Sequence, residues 1–130
     1  MNRYTPRLVI AAPGSGSGKT LAVCGILTSF LAAGKKPAAF KCGPDYIDPM
    51  FHETVVGTAS KNLDTFFVGE ELVRQLFLEA AKRADISVIE GVMGYYDGLA
   101  GTSLSASTYD VAKALQAPVV LVADAAKTSV

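Results

Sequence analysis

The sequence predicts an α/β fold in which helices cover both faces of an open, mainly parallel sheet. Three observations lead there. Apolar runs of strand length alternate with stretches whose apolar residues recur every three or four positions. The strand-sized runs lack polar alternation, as strands buried on both faces do. A glycine-rich segment, residues 13–20, joins the first such run to the first helical pattern. Strands alternating with helices imply right-handed crossovers, and ligands of such sheets sit beyond the carboxyl ends of the strands.

Residues 7–12 are the first predicted strand. A helix follows over 19–33, with Val23, Ile26, Leu27, Phe30 and Leu31 at helical spacing, and Gly34 offers a left-handed stop. Residues 37–42 are the second strand, with Pro37 tolerated at its first position. Residues 43–63 read as a long connection rich in Gly, Pro and Asp, with a short helical turn around 50–56. Long structured loops in compact domains usually serve function. Glu70 and Glu71 open the next helix, Leu72, Val73, Leu76, Phe77 and Ala80 form its buried stripe, and Lys82 and Arg83 complement its C-terminal end. A third strand spans 85–90 and a glycine-punctuated loop runs to about residue 105. Ser107 with Asp110 reads as the cap of a helix through Gln116. Residues 118–123 are a fourth strand, and Asp124 follows it.

At 130 residues the chain fits one domain, and half of it is apolar, enough for a substantial core. Twelve basic and twelve acidic side chains cancel, which argues against nucleic acid and anionic membrane as partners. The sequence carries no recognisable signal peptide or spanning helix. Cys24 and Cys42 read as reduced, small apolar fillers of a cytoplasmic protein. His52 is the one histidine and has no cysteine cluster around it, so a zinc site is not expected.

Pro13, Gly14, Ser15, Gly16, Ser17, Gly18, Lys19 and Thr20 carry the strongest functional signal. A glycine-rich turn between strand and helix points backbone N–H groups into one concavity, at the positive end of the helix dipole. Lys19 adds an ammonium for β- and γ-phosphates and Thr20 a hydroxyl for Mg²⁺, so a nucleoside triphosphate, ATP, is the expected ligand. Pro13 stands where the usual pattern has its first glycine. Gly14 stands where one branch of these ATPases has a second lysine that acts across a dimer, which argues against that branch. A plain Gly/Ser linker is the bland alternative, and the strand–loop–helix setting disfavours it.

Two further segments concentrate carboxylates among turn formers. One is residues 41–49, with Lys41, Asp45, Tyr46, Ile47 and Asp48; the other is residues 90–98, with Glu90 and Asp97. Acidic residues crowded near phosphates make sense mainly as Mg²⁺ ligands, and one could instead act as a general base toward ammonium. Asp45 and Asp48 also read as turn stabilisers, and Asp97 with Gly98 is a common turn pair. Glu90 is harder to dismiss, because it ends an apolar strand at the ligand edge. Tyr46, Tyr95 and Tyr96 read equally as loop packing, His52 as a loop hydrogen-bonder, Asp64 as a local cap and Asp124 as facing the nucleotide. Residues 14–20, 41–48, 90–97 and Asp124 should converge.

With the phosphate loop, these segments resemble the cobyrinate a,c-diamide synthase family, whose motifs read KxGPDYIDPxxH, EGVMGxYDG and APVVLVxD. The matching stretches are residues 41–52, 90–98 and 117–124, and Asn62, Leu63 and Asp64 also fit, so the resemblance covers nearly the whole chain. Relatives of that family include a synthase acting on nickel sirohydrochlorin and, further away, dethiobiotin synthetase. The resemblance implies a P-loop NTPase-like fold and ATP- and Mg²⁺-dependent amidation of tetrapyrrole carboxylates. Glutamine would supply the ammonia through a C-terminal amidotransferase domain. By the same resemblance the chain is the N-terminal, truncated part of the synthetase domain, inactive alone and with a homodimer left open. Lys41, Asp45, Asp48, Glu90 and Asp97 would be catalytic, Tyr46 and Ile47 would orient the ring, and Thr20, Asp48 and Glu90 would hold the metal. Two other readings compete: a partitioning or septum-positioning ATPase switch, and a dethiobiotin synthetase-like carboxylase.

Overall fold

The computed structural model describes residues 5–14, 16–43, 53, 56–63, 65–98 and 107–126, those at 65–68 by backbone only. Its strands are β1 (Arg7–Ala11), β2 (Pro37–Cys42), β3 (Ser60–Leu63), β4 (Ile86–Glu90) and β5 (Val119–Leu121). Its helices are α1 (Lys19–Ala32), α2 (Thr65–Ala80) and α3 (Thr108–Leu115). The strands form one sheet in the order β3-β2-β4-β1-β5, and every pairing is parallel.

Side chains alternate between the two faces of a strand, and here both sets are apolar. Val9, Ala11, Phe40, Cys42 and Ile89 pack with Val73, Phe77, Val111 and Leu115 of α2 and α3. Ile10, Ala39 and Val88 pack with Val23 and Leu27 of α1 on the other side. Helices therefore cover both faces, as the unbroken apolar runs predicted.

Local signals set the ends of the helices. Gly34 (φ 76°) closes α1: its N–H donates to the Leu31 carbonyl at 3.0 Å and the Lys35 N–H reaches the Phe30 carbonyl at 2.9 Å. That pair of bonds is the Schellman stop expected of a glycine there. Ser107 caps α3, its hydroxyl accepting the Asp110 N–H at 3.1 Å. At the far end of α3, Arg7 and Arg74 donate to the Leu115 and Ala114 carbonyls at 3.1 and 3.0 Å, cations placed where the helix dipole is negative.

Four expectations need correction. β3 was not anticipated, because Ser60, Lys61 and Asn62 are polar and none of its residues is β-branched or aromatic. It survives as an edge strand, held by pairing with β2 from Ala39↔Ser60 to Cys42↔Leu63. β5 is shorter than the predicted 118–123. The helical run of α2 starts at Thr65 and breaks at Gly69 (φ 74°, ψ 167°), so Glu70 and Glu71 follow a kink rather than open the element. Its buried stripe is also narrower: Val73, Phe77 and Ala81 face the sheet, whereas Leu72 and Leu76 are 43% and 49% exposed. The expected helical turn at 50–56 lies mostly outside the described residues.

Ser87, fully buried on β4, has a hydroxyl without a hydrogen-bond partner among the described residues. Burying an unbonded hydroxyl costs about 1–3 kcal/mol by mutational measures. Ser87→Ala is therefore expected to raise the free energy of urea unfolding by about 1 kcal/mol.

Candidate active site

The strand order fixes where a ligand can enter. The chain leaves β1 through α1 toward β2 on one side, and leaves β4 through α3 toward β5 on the other. β1 and β4 are neighbours whose connections diverge, which opens a crevice beyond their carboxyl ends. The loops at residues 12–18 and 91–98 border it.

After β1 the backbone turns through Gly16 (φ 74°) and Gly18 (φ 88°) into the first turn of α1. These left-handed angles are why glycine stands at both positions. The Ser17 hydroxyl donates to the Gly14 carbonyl at 3.1 Å. A Cβ built on Gly14 or Gly18 meets nothing within 4 Å, so both glycines face open space. Ser15 lies outside the described residues.

Lys19 and Thr20, the first residues of α1, reach across to the end of β4. The Lys19 ammonium, in a residue only 8% exposed, donates to the Met93 carbonyl at 2.6 Å. The Thr20 hydroxyl donates to Glu90 Oε1. Glu90 is completely buried and sits in register with Ile10 and Lys41 on its two sides. Lys41, also buried, places its Nζ 3.2 Å from Glu90 Oε1 and 3.3 Å from the Gly91 carbonyl. Its ammonium thus balances Glu90. Two residues along from Ala39 and Val88, both side chains fall on the α1 face, which explains their meeting with Thr20. Cys24, one turn further along α1, feels the same charge: burial, then the Glu90 carboxylate, pushes its thiol up.

The loop after Glu90 is clamped on two sides. Thr108, the first residue of α3, accepts the Val92 N–H at 2.9 Å and donates to the Val92 carbonyl at 3.2 Å. The Tyr95 N–H donates to the Ala12 carbonyl at 2.8 Å. Met93 adopts a left-handed φ of 47°, uncommon for a residue with a side chain. Gly94 is required by packing, since a Cβ there would lie 2.6 Å from the Pro13 carbonyl oxygen. Gly94→Ala is expected to push the glycine-rich loop outward and to cost about 1–3 kcal/mol in thermal or urea unfolding. Gly14→Ala, which enters open space, should leave stability near that of the wild type.

Lys19, Thr20, Lys41 and Glu90 therefore meet at one end of the sheet. Asp97 is exposed, and its Oδ2 accepts the Gly94 N–H at 2.8 Å, the turn-closing geometry that its pairing with Gly98 suggested. The Asp124 carboxylate accepts the Ala126 N–H at 2.9 Å. Asp45, Tyr46, Ile47 and Asp48, with His52 and Asp64, lie outside the described residues. Gly43 (φ 83°), where that segment starts, is fixed by its N–H to the Leu63 carbonyl at 2.8 Å and by Asn62 Nδ2 on its own carbonyl at 2.7 Å. Sequence reasoning passed over Met93, Thr108 and Asn62 as site-building residues. A threonine just after a cap is ordinary, and a backbone carbonyl leaves no signature in sequence.

Among the described residues no three His, Cys, Asp or Glu side chains cluster as a metal site. The Thr20 hydroxyl and one Glu90 carboxylate still suit Mg²⁺, which takes one or two carboxylates and leaves its other positions to phosphates and water. No helix among the described residues is long and apolar enough to cross a membrane.

An all-parallel open sheet with a glycine-rich loop entering the first helix gives the chain a P-loop NTPase-like fold. Comparison with known proteins narrows this class. No protein-family model matches the chain. It is 54% identical over 124 residues to the hydrogenobyrinate a,c-diamide synthase of Streptomyces coelicolor, covering 95% of the chain and 26% of that protein. It is 46% identical over 119 residues to the cobyrinate a,c-diamide synthase of Thermoplasma acidophilum, covering 92% of the chain and 27% of that protein. The Listeria innocua cobyrinate a,c-diamide synthase is 45% identical over 119 residues, with 91% and 26% covered. Over this matched segment the chain is similar to cobyrinate and hydrogenobyrinate a,c-diamide synthases. It spans about a quarter of the length of the curated relatives it matches.

Proposed function

We propose that this chain is the ATP-binding segment of an enzyme that amidates the a- and c-side-chain carboxylates of cobyrinate or a related tetrapyrrole. The observation that carries the reading is the junction of Lys19, Thr20 and Glu90 beside an open phosphate loop. The names of the relatives supply the acceptor.

The chemistry explains why such residues are needed. A carboxylate is a poor electrophile and must first be activated. In this reading a ring carboxylate oxygen attacks the γ-phosphorus of ATP, the bond to the β–γ bridging oxygen breaks, and ADP leaves. Ammonia then attacks the carbonyl carbon of the acyl phosphate, loses a proton and expels inorganic phosphate. The first step brings anions together, and each unit pair at 4 Å costs about 4 kcal/mol at an effective dielectric near 20. Lys19 offsets part of that by following the γ-phosphate charge. The helix α1 N-terminus and the loop N–H groups hold the remaining phosphate oxygens. Mg²⁺, held by Thr20, Glu90 and Asp48, would neutralise developing charge on the phosphates. Lys41 sets its ammonium 3.2 Å from the buried Glu90 Oε1. Asp45 and Asp97 remain candidates for taking the ammonium proton, and Tyr46 and Ile47 for orienting the ring. Glutamine, hydrolysed on another domain of the whole protein, is the proposed ammonia source.

ADP release by the whole protein tests this. With ATP, Mg²⁺ and ammonium, release should require cobyrinate and should stop in Lys19→Ala. ADP release that ignores cobyrinate, accompanied by ATP-dependent dimerisation, would replace this reading with a nucleotide switch.

A further inference from the structure

The loop that walls the phosphate cradle also carries a cluster of three tyrosines. Ring centroids of Tyr95 and Tyr96 lie 4.7 Å apart, those of Tyr96 and Tyr109 5.5 Å, and those of Tyr95 and Tyr109 5.8 Å. The Tyr109 N–H donates to the Tyr95 carbonyl at 2.9 Å, which ties the loop to the first turn of α3. Thr108 clamps the same loop at Val92, and Tyr95 is bonded back to Ala12. Tyr96 is nonetheless 60% exposed, and Met93 beside it 50% exposed. An aromatic ring fixed by its neighbours yet left to solvent has little ordering entropy to lose when something flat covers it.

We propose that Tyr96, backed by Tyr95 and Tyr109, is the platform on which the macrocycle of the acceptor lies during amidation. The inference rests on the functional reading above, and it adds a residue that determines ring affinity. Tyr95 bonds to Ala12 and Lys19 to Met93, so a ring on this platform would sit one loop-width from the phosphates. A conjugated macrocycle edged with carboxylates needs an apolar face and neutral hydrogen-bond donors at its rim. The cluster offers both. Burial, with Tyr96 and Tyr109 nearby, pushes the Tyr95 hydroxyl up, so it stays a neutral donor.

Cobyrinate binding to the whole protein is measured by equilibrium dialysis, read from the absorbance of the ring. Tyr96→Ala is expected to raise the Kd for cobyrinate about tenfold, the loss of one aromatic stack. Tyr96→Phe should stay within about twofold, because the ring remains. Mg-ATP affinity, measured by equilibrium dialysis, should be unchanged in both variants, and circular dichroism confirms their folding. A wild-type cobyrinate Kd in Tyr96→Ala would overturn the platform alone. Weaker Mg-ATP with unchanged cobyrinate binding would make Tyr96 a base-stacking residue and also overturn it. A native protein that binds Mg-ATP but no cobyrinate would remove the acceptor assignment and the platform together.

Discussion

Glu90→Ala is expected to destabilise the fold by about 3–5 kcal/mol, because it removes the carboxylate beside the buried ammonium of Lys41. Both partners are almost wholly buried, and the 3.2 Å contact between them has little water to screen it. The net worth of the intact pair is a different quantity. Desolvating both ions costs nearly what their attraction returns, so replacing the two together by neutral groups should be mild. The informative set is therefore Glu90→Gln, Lys41→Met and the double variant, followed by urea unfolding with Glu90→Ala. Each single change should lower stability clearly, and the double should lose much less than their sum, leaving a coupling of about 1–3 kcal/mol. Additive effects would mean that the two charges do not rely on each other. Since small domains hold only about 5–15 kcal/mol in all, Glu90→Ala itself risks unfolding the chain, and Glu90→Gln keeps the comparison measurable.

That pair also separates what a sequence can announce from what it cannot. The turn from β1 into α1 was legible because glycines at fixed offsets encode its left-handed backbone angles directly. Glu90 was legible too, as a charge ending an apolar strand at the sheet's ligand edge. Its partnership with Lys41 was not: the two are 49 positions apart, and only the β2–β4 register brings them together. The same holds for β3, whose polar residues gain strand geometry from β2 rather than from their own propensity. Leu72 and Leu76 fit a helical stripe as well as Val73 and Phe77 do, yet the sheet covers only part of the helix surface. Periodicity gives the direction of a buried face and leaves its width to the packing. The carbonyl of Met93, which receives Lys19, depends on a left-handed φ that no methionine advertises.

The second large effect concerns that lysine. Lys19→Ala is expected to weaken Mg-ATP binding by about 100-fold or more, since charge-assisted bonds to phosphate are among the strongest available to a side chain. The ammonium donates to the Met93 carbonyl at 2.6 Å, and a phosphate would add a full negative charge beside it in a largely enclosed position. The fold should tolerate the change better than Glu90→Ala, because Met93, whose carbonyl receives Lys19, is half exposed, whereas Lys41 and Glu90 are both buried. Calorimetric titration with Mg-ATP, beside a thermal melt, separates the two consequences. Lys19→Ala should lose affinity with a modest shift in Tm, and Glu90→Ala should show the larger loss of Tm. Mg-ATP binding within about threefold of wild type in Lys19→Ala would mean that the loop holds phosphate through backbone N–H groups alone. In that event the ammonium's contact with Met93 would be structural, and the nucleotide reading would have to stand on Thr20 and Glu90.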